Sequence, residues 1–152
     1  MFYLLRLLLK LNFPDVRLIT ISEFLQYSKG QNLPSPLIID ARSPEEYAVS
    51  HLESAQLIQT DNLDLNKIIL SEVPLNKPIV VYCSIGYRSA KVAQQLSSAG
   101  YENVFNLSGG IFQWVNQGNP VFQNHHQVEV VHPYNPIWGK LLKSKYHAYK
   151  VV

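Results

Sequence analysis

Residues 77–93 read KPIVVYCSIGYRSAKVA. The apolar run from Ile79 to Tyr82 is the strongest strand signal in the chain, and it ends on the only cysteine, Cys83. A helical pattern follows, with Val92, Ala93, Leu96 and Ala99 on one face and a stop at Gly100. A thiol at the carboxyl end of a strand, directly before a helix, occupies the place where open α/β sheets bind their ligands. A buried structural cysteine would explain Cys83 alone. It would give no reason for Gly86, Arg88 and a helix start at these spacings.

Outward from this stretch the chain alternates strand and helix. VRLIT (16–20) predicts a strand, and ISEFLQYSKG (21–30) a helix with Thr20 or Ser22 as cap and Gly30 past its end. PLIIDA (36–41) predicts a buried strand. In RSPEEYAVSH (42–51), Ser43 suits an N-cap, Pro44 the first helical position, and Glu45 and Glu46 the positive helix end. SAQLIQ (54–59) predicts a third strand and LNKIILSEV (65–73) a helix closed by Pro74. NVFNL (103–107) predicts the last strand. GGIFQWVNQG (109–118) predicts a short helix that buries Ile111, Trp114 and Val115. The alternation implies an α/β fold, a mostly parallel central sheet with helices on both faces.

The chain has 152 residues, the length of one domain with a sizeable core. A net charge of +2 is too mild to point to nucleic acid, and no nucleic-acid partner is expected. One cysteine excludes an internal disulfide framework and any CxxC zinc site. A functional thiol fits a reducing compartment, so a cytoplasmic location is expected. Three parts follow: an N-terminal apolar segment (1–15), an α/β domain (16–122) and a C-terminal extension (123–152).

The segment MFYLLRLLLKLNF is too short to span a bilayer and lacks the charged start and cleavage site of a signal peptide. Its leading reading is an element packed on the domain. A partner or dimer contact, and peripheral membrane association through residues 1–13, stay open. Residues 119–152 read as an extended tail. Its His125, His126, His132 and His147 match no metal spacing, and no metal is expected. Its Trp138, Tyr146 and Tyr149, with Lys140, Lys143, Lys145 and Lys150, suit either an acidic protein partner or the domain's own apolar surface.

The nucleophilic form of cysteine is the thiolate, and a free thiol titrates at about 8.5. The loop offers three sources of anion stabilisation. The following helix aims its unpaired N–H groups backwards. The amides of Ser84 to Arg88 can curl around the sulfur, with Gly86 permitting the unusual dihedrals. Arg88 adds a positive charge at the rim.

These residues carry a family resemblance over roughly 16–122. CSIGYRS resembles the active-site loop of single-domain rhodaneses, which are sulfurtransferases. IIDARSPEEYAVSHLESAQLI (38–58) resembles their upstream signature, and NLSGGIFQWVNQGNPV (106–121) their C-terminal one. One detail departs: the family has glycine where Ser50 precedes His51, and Ile-Pro-Gly where Leu52, Glu53 and Ser54 follow.

The resemblance implies a rhodanese-like fold and a thiosulfate sulfurtransferase-like enzyme without cofactor. A sulfane sulfur would pass from thiosulfate or a persulfide, through a Cys83 persulfide, to a thiol or cyanide. Ser84, Ile85, Gly86, Tyr87, Arg88 and Ser89 would bind substrate, with Arg88 holding an anionic donor and Ser89 capping or opening the helix. Asp40 and Arg42 would support the loop or touch substrate. His51 and Trp114 read as turn and core residues. Two alternatives remain. A phosphatase or arsenate reductase on the same fold has a C-x5-R loop, one residue longer than the C-x4-R found here. A catalytically silent binding module would need neither Cys83 nor Arg88.

Overall fold

A computed structural model describes residues 1–30, 34–58 and 70–152. In chain order its elements are α1 (Phe2–Asn12), β1 (Arg17–Ile19), α2 (Ile21–Lys29), β2 (Leu37–Asp40), α3 (Pro44–Val49), β3 (Gln56–Leu57) and β4 (Ile79–Tyr82). Then come α4 (Tyr87–Ser98), β5 (Val104–Leu107), α5 (Gly110–Asn116), β6 (Val121–Gln123) and β7 (His126–Val128). Two 3-10 turns, Trp138–Leu141 and Ser144–Tyr146, follow. The helix expected over 65–73 falls mostly outside the described residues.

The strands β1 to β5 form one sheet in the order β1-β5-β4-β2-β3, every neighbouring pair parallel. The central strand β4 shows why a continuous apolar run was needed. All four of its residues are buried, and alternate ones serve opposite layers. Ile79 and Val81 pack with Ile39, Val92, Ala93 and Leu96 of β2 and α4. Val80 and Tyr82 pack with Phe24 of α2 and Ile111, Phe112 and Trp114 of α5. Each fully buried aliphatic side chain contributes about 1.5–3 kcal/mol, so this one strand anchors both faces.

Local signals set the helix starts. Thr20 is the cap of α2: its Oγ1 accepts from Glu23 N–H at 3.1 Å, and its N–H donates to Glu23 Oε2 at 2.8 Å. Ser43 makes the same reciprocal box with Glu46, with Pro44 at the first position of α3.

Behind the carboxyl end of the sheet lies a buried polar knot. Arg42 donates through Nε to Asp40 Oδ1 at 2.9 Å and through Nη2 to Asp40 Oδ2 at 2.7 Å, with both side chains fully buried. Tyr82 donates its hydroxyl to Asp40 Oδ2 at 2.6 Å and accepts from Leu52 N–H at 3.0 Å. Arg42 Nη2 also reaches the Ser50 carbonyl at 2.6 Å. The knot ties β2, β4 and the turn after α3 together. Burial and the neighbouring Asp40 push the Tyr82 hydroxyl well above its ordinary range, so it stays a donor.

The turn that departs from the family signature has its own solution. Ser50 donates its hydroxyl to the Val130 carbonyl at 2.5 Å, and Ser54 takes the left-handed backbone at φ +61°. His51 stacks on Tyr47 with ring centroids 4.0 Å apart, and its backbone pairs with Phe122.

The C-terminal extension packs on the domain's own apolar surface, one of the two readings open for it, and only its extended course is corrected. It begins as the β6–β7 hairpin, and its Val131 and Leu142 are buried in the same cluster as Trp114. Asn116 holds it in place, donating from Nδ2 to the Leu141 carbonyl at 2.8 Å and accepting from Lys143 N–H at 2.9 Å. The segment α1 lies on the domain as well. Leu9 and Phe13 pack against Ala90 of α4, while Leu4, Leu7, Leu8 and Leu11 face outward. Among the described residues no helix is long and apolar enough to cross a membrane.

The polar knot is testable. Asp40→Ala leaves the Arg42 guanidinium buried without its counter-charge, which costs about 3–5 kcal/mol in comparable cases. We expect a fall of that size in stability from urea denaturation. A midpoint equal to that of the unchanged protein would show that the pair does not hold the turn.

Candidate active site

Backbone geometry makes the loop between β4 and α4. Cys83 follows the last residue of β4, and Gly86 caps α4 with φ +113°. The start of α5 then presses on the loop from the side. Ile111 N–H donates to the Cys83 carbonyl at 2.9 Å, and Phe112 N–H to the Ser84 carbonyl at 3.2 Å. Gly110, at φ +59°, makes this approach feasible, because a Cβ there would overlap both carbonyls. The Gly-Gly pair of the C-terminal signature thus supports the loop.

Cys83 is 1% exposed, and its sulfur accepts Gly86 N–H at 3.1 Å. The Ser89 hydroxyl lies 3.3 Å from Sγ and 2.6 Å from Asn106 Oδ1. Asn106 Nδ2 donates to the Gly86 carbonyl at 2.9 Å, which fixes the amide and so the position of the Ser89 hydroxyl. Ser89 therefore corrects the expectation that it caps or opens the helix. α4 begins at Tyr87, and Ser89 donates its hydroxyl to Asn106 Oδ1, which leaves its oxygen beside the sulfur.

Arg88 has partners within the fold. Its Nη1 and Nη2 donate to Glu46 Oε1 and Oε2 at 2.7 and 2.9 Å, and Nη2 also to Ser84 Oγ at 3.0 Å. The Tyr134 ring covers the guanidinium, with Cζ 4.4 Å from the ring centroid. Burial pushes the Glu46 carboxyl up, but the Arg88 fork overrides it. With Arg42 and the Ser43 N–H, Arg88 holds Glu46 at about 2. The charge of Arg88 is thus balanced within the protein.

A cavity of about 350 Å³ opens above the sulfur. Cys83, Ser84, Ile85, Tyr87 and Arg88 line one side. α1 supplies Leu5, Leu8, Leu9 and Asn12, and the extension supplies Tyr134 and Trp138. Gly86 is not in the lining and points its N–H at the sulfur, while Asp40 and Arg42 do not line the cavity either and stay in the polar knot. The groups that residue-level reading missed are Glu46, Asn106 and the two walls. The acidic–aromatic pair Glu46–Tyr47 and a lone polar residue in β5 were the available signals.

The rhodanese-like domain matches residues 20–117, and the chain belongs to that family. It is 35% identical over 85 residues to a sulfurtransferase of Allochromatium vinosum, covering 56% of this chain and 77% of that one. It is 34% identical over 83 residues to the probable adenylyltransferase/sulfurtransferase MoeZ of Mycobacterium tuberculosis. That match covers 55% of this chain and only 21% of that longer protein. A rhodanese-related protein of Thermoplasma volcanium superposes with a TM-score of 0.59 at 26% identity, covering 70% of this chain and 98% of its own.

Two outcomes follow from this geometry. Gly110→Ala should lower the melting temperature and slow alkylation of Cys83, since the strained φ and the overlap together cost about 1–3 kcal/mol or more. Unchanged melting would show that the contact is soft. Glu46 titrates at about 2 in the fold against an ordinary 4.5. A depressed carboxyl stabilises the fold fully above the ordinary value, and this contribution is lost as pH falls through the folded one. Glu46→Gln should therefore remove on the order of 3 kcal/mol of pH-dependent stability, read as a flatter decline between pH 4.5 and pH 2. Parallel declines would show that Glu46 is not held by Arg88.

Proposed function

We propose that the protein is a sulfurtransferase that carries a sulfane sulfur as a persulfide on Cys83. The donor would be thiosulfate or a persulfide, and the acceptor a thiol or cyanide. The observation that carries this reading is the sulfur itself, held by Cys83 at the wall of a cavity with the Gly86 N–H aimed at it.

The chemistry divides into two half-reactions. The Cys83 thiolate attacks the outer sulfur of thiosulfate, the donor S–S bond breaks, and sulfite leaves with the electron pair. An acceptor thiolate or cyanide then attacks the outer sulfur of the persulfide, and the Cys83 thiolate leaves. In both steps the negative charge on Sγ rises or falls beside fixed dipoles, which need no reorganisation. No general base is required once the thiolate exists, which suits His51 in its turn, away from the sulfur.

Three features favour sulfur over phosphate chemistry. The C-x4-R ring is one residue shorter than the phosphate-binding one. Its Gly86 N–H already points at Sγ, and the Arg88 fork is engaged by Glu46. The two relatives described above bear sulfurtransferase names. A reducing compartment such as the cytoplasm would keep the thiol available.

The test is an intact-mass measurement after thiosulfate treatment. We expect one added sulfur atom that a thiol reductant removes. Cys83→Ser should take up none while keeping its circular dichroism, because serine is near-isosteric but forms no persulfide. Sulfur uptake or thiosulfate–cyanide turnover by that variant would overturn the assignment.

A further inference from the structure

We propose that the cavity above Cys83 selects donors and acceptors whose sulfur is attached to an apolar, uncharged body, in preference to small anions. This rests on the sulfurtransferase reading and names its substrate class.

The first argument is charge. A dianion brought into a half-enclosed apolar cavity loses hydration, and it needs an unspent cation in return. Arg88 is the cation in the cavity wall, and its two terminal nitrogens are on the Glu46 carboxylate. The open face of its guanidinium is covered by Tyr134. Tyr134 adopts φ +67°, a conformation that costs a bulky residue energy and persists only when its surroundings impose it. Here the surroundings place its ring over the cation.

The second argument is the wall. Leu5, Leu8 and Leu9 approach from α1 and Trp138 from the extension, so two segments far apart in sequence converge on the sulfur with apolar groups. A volume of about 350 Å³ lies in the range of organic-ligand sites, and a small oxyanion would leave most of it unfilled. Leu8 and Trp138 keep 45% and 39% of their surface exposed, so the wall is reachable from solvent.

With an organic persulfide R–S–S–H the step balances simply. The Cys83 thiolate attacks the terminal sulfur and the S–S bond breaks. R–S⁻ leaves with the electron pair and takes a proton from water, and Cys83 keeps the S–H as its persulfide. Discharge to an apolar thiolate is the reverse. In both directions R rests against Leu8 and Trp138.

The test loads Cys83 with inorganic polysulfide, then measures discharge to benzyl mercaptan and to 2-mercaptoethanol, thiols of similar acidity. We expect the second-order rate constant to be at least about tenfold higher for benzyl mercaptan, the discrimination an apolar pocket supplies. Trp138→Ala and Leu8→Asn should each shrink that ratio. Glu46→Gln, which frees Arg88, should raise the rate of loading by thiosulfate. A parallel measurement follows the two indole N–H resonances of the Cys83→Ser protein during titration with toluene. The Trp138 signal should move and the buried Trp114 signal should stay. Equal rates for the two thiols, with no response to toluene, overturn this inference while persulfide formation keeps the sulfurtransferase reading. Toluene binding without a persulfide from any donor overturns the sulfurtransferase reading and leaves the ligand class standing.

Discussion

Two backbone hydrogen bonds, from Ile111 and Phe112 at the start of α5 to the carbonyls of Cys83 and Ser84, fix the loop on which the site is built. They require the backbone of Gly110 to lie against the loop, and they require β5 and β4 to be neighbours in the sheet. The sheet order meets the second demand. The same adjacency lets Asn106, near the end of β5, reach across to the Gly86 carbonyl and the Ser89 hydroxyl. One packing constraint thus sets the sulfur, its N–H donor and its hydroxyl neighbour together.

Charge near the sulfur is arranged in closed pairs. Asp40 and Arg42 neutralise each other under the turn, and Glu46 and Arg88 do so beside the cavity. On the proposed reading, a thiolate at Sγ meets oriented dipoles, the Gly86 N–H and the N-terminal turn of α4. Dipoles act over short range, so they favour charge on the sulfur without attracting free anions from solvent.

Much of this was legible in the residues, for identifiable reasons. The run Ile79–Tyr82 has no polar interruption because β4 is covered on both faces, and Ser43-Pro44 with Glu46 announces a helix start through its own hydrogen bonds. Cys83 stood out as the candidate nucleophile because strand, glycine and helix start have fixed spacing. Glu46 was read only as a helix-terminal acid, since its partner Arg88 is remote in sequence and pairing across the fold leaves no periodic trace. Asn106 was invisible for a like reason, being one polar residue in a four-residue strand. The extension hid its packing because Val131 and Leu142 are separated by irregular backbone, where neither a helical nor a strand period can emerge. α1 is apolar around most of its circumference, so composition could not say which side meets the domain.

The walls of the cavity come from α1 and from the extension, and both lie outside residues 20–117, the span shared with the family. The reacting atom and its dipoles lie inside that span. On the proposed reading, chemistry and selectivity reside in different parts of the chain. The inner part must keep its glycines and its strand order, whereas the outer parts need only present apolar surface at one edge. On that reading, exchange of these flanking segments would retune what the site accepts without disturbing how it reacts, and the functional unit would be larger than the domain that gives the family its likeness.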